Sequence, residues 1–395
     1  MTLDGRSQPF ALAATCSRGL EQVLHGELKA LGHAEAECGR GVVTFRGGLD
    51  AIYAANLWLR TATRVLRMLA AGSVRGRETL YELARTVRWE EVLTTDQSFL
   101  VEVAGRGAGL ANTAFGALIV KDAVVDHFRE KKGRRPSVDR LDPDVRVHLH
   151  LQEAAATISV DSSGEPLSHR GYRPRGGPAP LSESLAAGIL LIAGYDGSAA
   201  LVDPMCGTGT IAIEAALIAT RTPPGIARRF ACERWWFHAG DTLARLRAEG
   251  LTGRKGGAGV VASDLDDRAV RATRKNAAAA GVSEQLTAVR RDLAELPRLT
   301  AGSLIVSNPP YGHRLGEVSD LKALYRRLGD VLKQQATECT AWLLVGDPDL
   351  VKAVGLHPAR RLRLFNGPLE CRLLRFDLYA GSRRHITTFD TEVGS

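Results

Sequence analysis

An α/β fold is predicted, with a mostly parallel sheet in the C-terminal half and smaller α+β units ahead of it. Three observations carry this. Leu201–Ala216 reads LVDPMCGTGTIAIEAA, a short apolar strand, a glycine loop and then an alanine-rich run of helical composition. Leu304–Gly312 reads LIVSNPPYG, an apolar strand that Pro309 and Pro310 must end, because neither has an N–H for a ladder. Before Val160, short strands and helices alternate without a glycine fingerprint.

The 395 residues are too many for one ordinary domain, and two or three are expected. With 45% apolar and 24% charged residues the composition is that of a soluble globular protein. No apolar run reaches the roughly eighteen residues of a membrane span, and the N-terminus lacks a secretory pattern. Cysteines 16, 38, 206, 232, 339 and 371 are scattered and lack C-x-x-C pairing. They read as reduced thiols of a cytoplasmic protein, with neither a disulfide frame nor a metal site. The net charge of +8 permits a polyanionic partner.

Taken in order, Phe10–Ala14 is a strand, Ser17 a candidate cap, and Leu20, Val23, Leu24, Leu28 and Leu31 follow helical spacing up to Gly32. Val42–Phe45 is a strand and Asp50–Leu69 a helical stretch. Phe99–Val103 is a strand, Thr113–Phe128 a helix, and Val145–Leu151 alternates with period two, its hairpin partner being Ala156–Val160. Between that helix and hairpin lies REKKGRRPSVDR, Arg129–Arg140, with six basic residues against two acidic ones. Such a run is ordinarily a solvated loop; its concentration of charge also suits phosphate contact by Lys131, Lys132, Arg134 and Arg135. A second basic stretch, His169–Gly177, reads as a linker in which Arg170, Arg173 and Arg175 flank Tyr172, a mixture suited to RNA.

The C-terminal half begins with a helix from Leu181, capped by Ser182 or Ser184. Arg221–Gly259 is an insertion rich in Arg, Trp and Gly to which the sequence assigns no role. Val260–Asp264 is a strand, Asp267–Ala280 a helix, Leu286–Val289 a strand followed by Asp292, and Asp320–Gln335 a helix. Trp342–Val345 and Arg372–Leu378 supply later strands, the last antiparallel and closing the sheet.

Glycines 207 and 209 allow a sharp turn and a close backbone approach to a ligand, and the following helix directs its free N–H groups to the same place. A phosphate loop would end in Lys-Ser or Lys-Thr, and this one does not. Gly207, Gly209 and Ala212 satisfy a dinucleotide fingerprint formally, but Asp264 lies much further on than that motif's ribose-binding acid. S-adenosylmethionine is the third candidate: Asp203 suits its amine, Asp264 its ribose hydroxyls and Asp292 its adenine amino group. Asn-Pro-Pro-Tyr, Asn308–Tyr311, directly after a strand and downstream of a D-x-x-x-G-x-G loop, looks like the catalytic motif of amino-group methyltransferases acting on nucleic-acid bases.

Six stretches together resemble the bacterial guanine-N2 RNA methyltransferases that carry a THUMP domain. They are CSRGLEQVL, KDAVVDHFREKKGRRPSVD, SHRGYRPRGGPAPLSESLAAGIL, LVDPMCGTGTIAIEAALIA, SNPPYGHRL and NGPLECRLLRFDL. The resemblance implies a ferredoxin-like module over 1–50 (extending to about 68), THUMP over 51–162, a linker over 163–180, a Rossmann-like methyltransferase domain over 181–383 and a polar tail over 384–395. It implies methyl transfer from S-adenosylmethionine to a guanine N2 amine in 23S rRNA, with tRNA as the alternative substrate and a non-catalytic RNA-binding protein as the rival of another class. Asn308, Pro309, Pro310 and Tyr311 are then catalytic. Ser184, Asp203, Met205, Cys206, Gly207, Gly209, Asp264, Leu265, Asp292 and Asn308 hold the cofactor. The expected state is a monomer on structured RNA, with no metal and no membrane. In some family members a second methyltransferase domain follows; this chain ends before it would begin, which puts any second modification activity in doubt.

Overall fold

The structure, a computed structural model, describes residues 9–107, 109–110, 112–174, 181–253, 256–311 and 318–380. The N-terminal half contains β1 (Phe10–Cys16), α1 (Glu21–Ala30), β2 (Glu37–Gly39), β3 (Val42–Gly47), α2 (Leu49–Trp58) and β4 (Ala62–Ser73). It continues with α3 (Arg77–Arg85), β5 (Ser98–Gly107), α4 (Thr113–Lys132), β6 (Ser137–Val138), β7 (Val145–Glu153) and β8 (Ala155–Asp161). All eight strands belong to one sheet, in the order β2-β3-β1-β4-β8-β7-β5-β6.

β4 joins the two parts of that sheet. It pairs antiparallel with β1 on one side (Ala14↔Val65) and with β8 on the other (Arg67↔Val160). This corrects the expected helix over Asp50–Leu69, which stops at Trp58. The Glu27 carboxylate accepts the backbone N–H groups of Arg60 (2.6 Å) and Thr61 (3.0 Å) and so holds the chain as it leaves the helix. Val65 and Leu66 fit a helical or an extended period equally well, and the two waiting strand edges decide between them. Ser17 does not cap α1, which has no side-chain cap. α4 runs on to Lys132 and ends at Gly133 with φ +66°, so Arg129–Lys132 form its last turn. Cations there offset the helix dipole.

The C-terminal half contains α5 (Glu183–Ile192), β9 (Leu201–Asp203), α6 (Thr210–Ala219), α7 (Gly240–Thr252), β10 (Val260–Asp264), α8 (Asp267–Ala279), β11 (Leu286–Arg290) and β12 (Leu304–Ser307). α9 (Val318–Gln335), β13 (Thr340–Val345), α10 (Pro348–Ala353), β14 (Arg360–Asn366) and β15 (Leu369–Asp377) complete it. The sheet order is β11-β10-β9-β12-β13-β15-β14. β15 is antiparallel to β13, as expected, but it does not close the sheet; β14, unread in the sequence, is the edge strand. Chain order reverses between β9 and β12, a topological switch point where a crevice opens beyond the carboxyl ends of the strands.

The segment without an assigned role packs across the molecule. Phe230, Cys232, Trp235, Phe237 and Leu243 are buried in the same apolar cluster as Tyr53, Phe99 and Val160 of the N-terminal half. Residues 165–170 are equally fixed. Arg228 donates to the carbonyls of Pro166 (2.6 Å) and Glu165 (2.7 Å). Arg170 inserts its guanidinium beside Glu214 of α6, at 3.3 Å, with both side chains almost wholly buried.

Candidate active site

Four parallel strands end side by side at the switch point, and each delivers a polar residue. Asp203 ends β9, Asp264 ends β10, Asp292 follows β11 and Asn308 follows β12. The register places β9 against β10 (Ala262↔Asp203) and against β12 (Ile305↔Val202). Asp203 and Ser307 are therefore neighbours, and the Ser307 hydroxyl donates to Asp203 Oδ1 at 2.7 Å.

Asp203 is 1% exposed. Burial pushes its carboxyl up to about 7, against the hydrogen bonds from Ser307 and the Met205 N–H, while the nearby Asp264 charge raises it further. Among the described residues no Lys or Arg pairs with it. A cation brought beside this group would favour its ionised form. Asp264 Oδ2 accepts the Gly207 N–H at 2.8 Å and Oδ1 accepts the Asp266 N–H at 3.0 Å, which orients the carboxylate along the edge of the loop. Leu265, beside it, is 61% exposed, a large apolar side chain with nothing covering it. Asp292 caps the short turn Leu293–Glu295 by accepting the Ala294 N–H at 2.8 Å.

The glycine loop is held from α8. Thr273 donates to the Gly207 carbonyl (3.0 Å) and Asn276 to the Thr208 carbonyl (3.0 Å). Gly209, at φ +85°, starts α6, and a Cβ there would come within 2.5 Å of Thr273. Gly207 has φ +54°, yet a Cβ on it would meet nothing within 4 Å. Its free side faces open space, as a backbone cradle for a ligand requires. Burial pushes the Cys206 thiol far above its ordinary value, so the group is unreactive. These holding residues were not singled out in the sequence. The signal for Thr273 and Asn276 was two polar residues three apart on one turn of an alanine-rich helix.

Asn308 follows the last residue of β12, and Pro309 is buried beneath it. Asn308 Oδ1 is buried and, among the described residues, without a hydrogen-bond partner. So is the Thr208 hydroxyl in the glycine loop. Buried polar atoms left unpaired are costly, and a pair of them at one crevice marks a place for a ligand. Tyr311 sits at the end of the motif, partly buried against the cores on both faces of the sheet.

Other expected site residues lie elsewhere. Arg170 is 4% exposed: besides Glu214, it donates to the carbonyls of Leu167 (2.6 Å) and Arg60, and it is withdrawn from any RNA. Tyr172 is buried with its hydroxyl on Glu214 at 3.2 Å, so it cannot stack on a base. Arg173 bridges Glu183 (2.8 Å) and Thr210 (3.2 Å). The Ser184 hydroxyl donates to the Ala62 carbonyl at 3.1 Å, facing the N-terminal half and not the crevice, while Ser182 caps α5. Arg175 lies outside the described residues. In the other basic run, Lys131 pairs with Glu90 (2.6 Å) and Arg134 with Asp96 (2.5 Å). Lys132 and Arg135 are exposed and make no ion pair among the described residues.

Family comparison agrees with this architecture. The RMKL-like methyltransferase domain matches residues 170–375. The chain belongs to the RMKL-like methyltransferase family. Ahead of that domain, the RlmL ferredoxin-like domain matches residues 11–66 and the THUMP domain residues 75–161. Among curated relatives of this RMKL-like chain, the ribosomal RNA large subunit methyltransferase K/L of Syntrophotalea carbinolica is 41% identical over 383 residues, covering 94% of this chain and 54% of the relative. The chain thus spans about half the length of the curated relatives it matches. Two solved structures superpose over 95% of the chain. SMU.472, complexed with SAH, is 28% identical with TM-score 0.87 and is covered completely. A predicted N6-adenine-specific DNA methylase from Listeria monocytogenes is also 28% identical, with TM-score 0.86 and 97% of its chain covered.

Proposed function

We propose that this chain methylates the exocyclic N2 amine of a guanine in 23S rRNA, with S-adenosylmethionine as donor. The observation that carries the reading is the unpartnered, buried Oδ1 of Asn308 at the switch point. The printed names of the curated relatives, ribosomal RNA large subunit methyltransferases, support the substrate class. The SAH complex of SMU.472 supports the cofactor. The reading places the protein in the cytoplasm; among the described residues no helix is long and apolar enough to cross a membrane.

The donor fits the crevice by the open side of Gly207 and by the uncompensated acid at Asp203. Asp203 would face its methionine amine, Asp264 its ribose hydroxyls, and Leu265 and Asp292 its adenine. When bound it supplies an electrophilic methyl group on a sulfonium. Asn308 Oδ1 and the Pro309 carbonyl are the two acceptors for the N–H groups of the target amine. Holding both hydrogens fixes the direction of the nitrogen lone pair, and the prolines keep the acceptors in place. No base is needed before transfer, because the nitrogen loses its proton to solvent afterwards. The base must be flipped or single-stranded to reach this depth, and the Tyr311 ring is its stacking partner. The THUMP domain, with Lys132 and Arg135 exposed, holds RNA by its phosphates.

The test is methyl transfer from labelled S-adenosylmethionine into 23S rRNA transcribed in vitro, followed by nucleoside analysis. Wild type yields N2-methylguanosine. Asn308→Ala reduces the rate by about 10²-fold, the scale of losing one preorganised polar contact in an active site, with donor affinity held within a few fold. Near-wild-type transfer by Asn308→Ala overturns the site. N6-methyladenosine as product would instead assign the chemistry printed for the Listeria structure, and labelling of tRNA alone would move the substrate.

A further inference from the structure

Tyr311 is the one member of the Asn-Pro-Pro-Tyr motif whose surroundings include residues without a role so far. Its ring lies directly on Gly346, the residue after β13. A Cβ at Gly346 would come within 2.5 Å of Tyr311 Cδ2 and 2.8 Å of Cε2. The φ of Gly346 lies outside the left-handed region, so another residue could adopt this backbone. Space for the ring, and not backbone conformation, requires glycine there. At the other end of the side chain, Asn366 Nδ2 donates to the Tyr311 hydroxyl at 3.4 Å, and the Cys371 thiol lies 4.0 Å from the same oxygen. Asn366 ends β14, and Cys371 is buried in β15. Both come from the NGPLEC turn, which joins edge strand β14 to its neighbour β15 and has no part in the donor crevice. Beneath them the buried hydroxyl of Tyr325 has no partner.

We propose that Gly346 and Asn366 are positioning residues for Tyr311, setting the plane and depth at which it meets the target base. The inference rests on the reading of Asn308–Tyr311 as the reacting site. Gly346 sets how far the ring sinks toward β13. Asn366 holds the hydroxyl, so that the ring cannot swing out over the crevice. The bond at 3.4 Å is long, and the larger share of the positioning is steric. The terminal hairpin thereby acts on the substrate base through one aromatic ring without touching RNA itself.

The test uses the full chain, tritiated S-adenosylmethionine and in vitro transcribed 23S rRNA, with kcat, KM for RNA, donor Kd and Tm measured together. Gly346→Ala should lower kcat by about 10²-fold, the scale of a 1 Å misplacement, with donor Kd unchanged within twofold. Asn366→Ala and Tyr311→Phe should each lower kcat by about threefold, and their effects should be less than additive in the double variant, because both remove the Asn366–Tyr311 bond. Tyr325→Phe, which deletes an unpartnered hydroxyl in the same pocket, should leave kcat and KM at wild-type values. Wild-type kcat in Gly346→Ala overturns the proposal, as does strict additivity of Asn366→Ala with Tyr311→Phe. If Gly346→Ala fails to fold, the double-variant cycle decides alone. Inactive Asn308→Ala alongside fully active Gly346→Ala and Asn366→Ala would sink this inference and leave the function standing. Active Asn308→Ala would sink the function itself.

Discussion

Lys132 and Arg135 stand in water at the end of α4, whereas Arg170 lies inside the molecule against Glu214, although both come from runs of similar composition. The difference follows from the partners each segment meets. The first run extends from a helix terminus into a turn, where its cations meet half-buried Glu90 and exposed Asp96. The second crosses from one half of the chain to the other, over α6, whose apolar sequence TIAIEAALIA contains a single acid. Glu214 is fully buried there and requires a cation. A basic run is thus left in solvent in one place and drawn in as an internal clamp in another.

Breaking the clamp has the largest expected effect. Arg170→Ala removes the ion-pair partner of buried Glu214, leaving it the Tyr172 hydroxyl and the charge of nearby Arg60, and should cost about 3–5 kcal/mol in urea unfolding. A loss below about 1 kcal/mol would put Arg170 back among the surface arginines. Asp203 sharpens the comparison from the other side, as a buried acid with no cation beside it among the described residues. Its folded value near 7 exceeds the unfolded one, so the folded state binds the extra proton. That stability is fully present below about pH 4 and is lost as pH rises through about 7. Asp203→Asn should match wild type in Tm at low pH, exceed it at about pH 8, and bind S-adenosylmethionine more weakly; a constant Tm difference across that window would contradict the assignment. For the exposed pair, Lys132→Glu with Arg135→Glu should weaken RNA binding by about tenfold and lower the slope of log K against log salt by about 2, with Tm unchanged. An unchanged slope would make the run a plain solvated face. Smallest of all, Lys131→Ala or Arg134→Ala should change stability by less than about 1 kcal/mol, because each removes a largely exposed ion pair.

What could be read from sequence was local backbone chemistry. Gly207, Gly209, Pro309 and Pro310 constrain their own φ or hydrogen bonding, so the loop, the strand ends and the acids at 203 and 264 followed from neighbours a few residues away. What could not be read depended on distant partners. The role of Arg170 is set by Glu214, and that of Ser184 by Ala62. β4 became a strand because β1 and β8 offered it edges. A lone glutamate in an otherwise apolar helix was the one available sign of the clamp, since such an acid has to find a cation inside the fold.

The packing of Phe230, Cys232, Trp235, Phe237 and Leu243 into the N-terminal core bears on the order in which the chain can be finished. When synthesis has reached Asp161, all eight strands of the first sheet exist, but part of one apolar face still lacks its cover. That cover is encoded beyond β9 and α6, so the first half waits for the glycine loop before it can close. Domains usually fold as units from the N-terminus as they emerge. Here the nascent first unit carries an exposed apolar face until β9 and α6 have followed it out, which ties completion of the THUMP-bearing half to the presence of the methyltransferase domain.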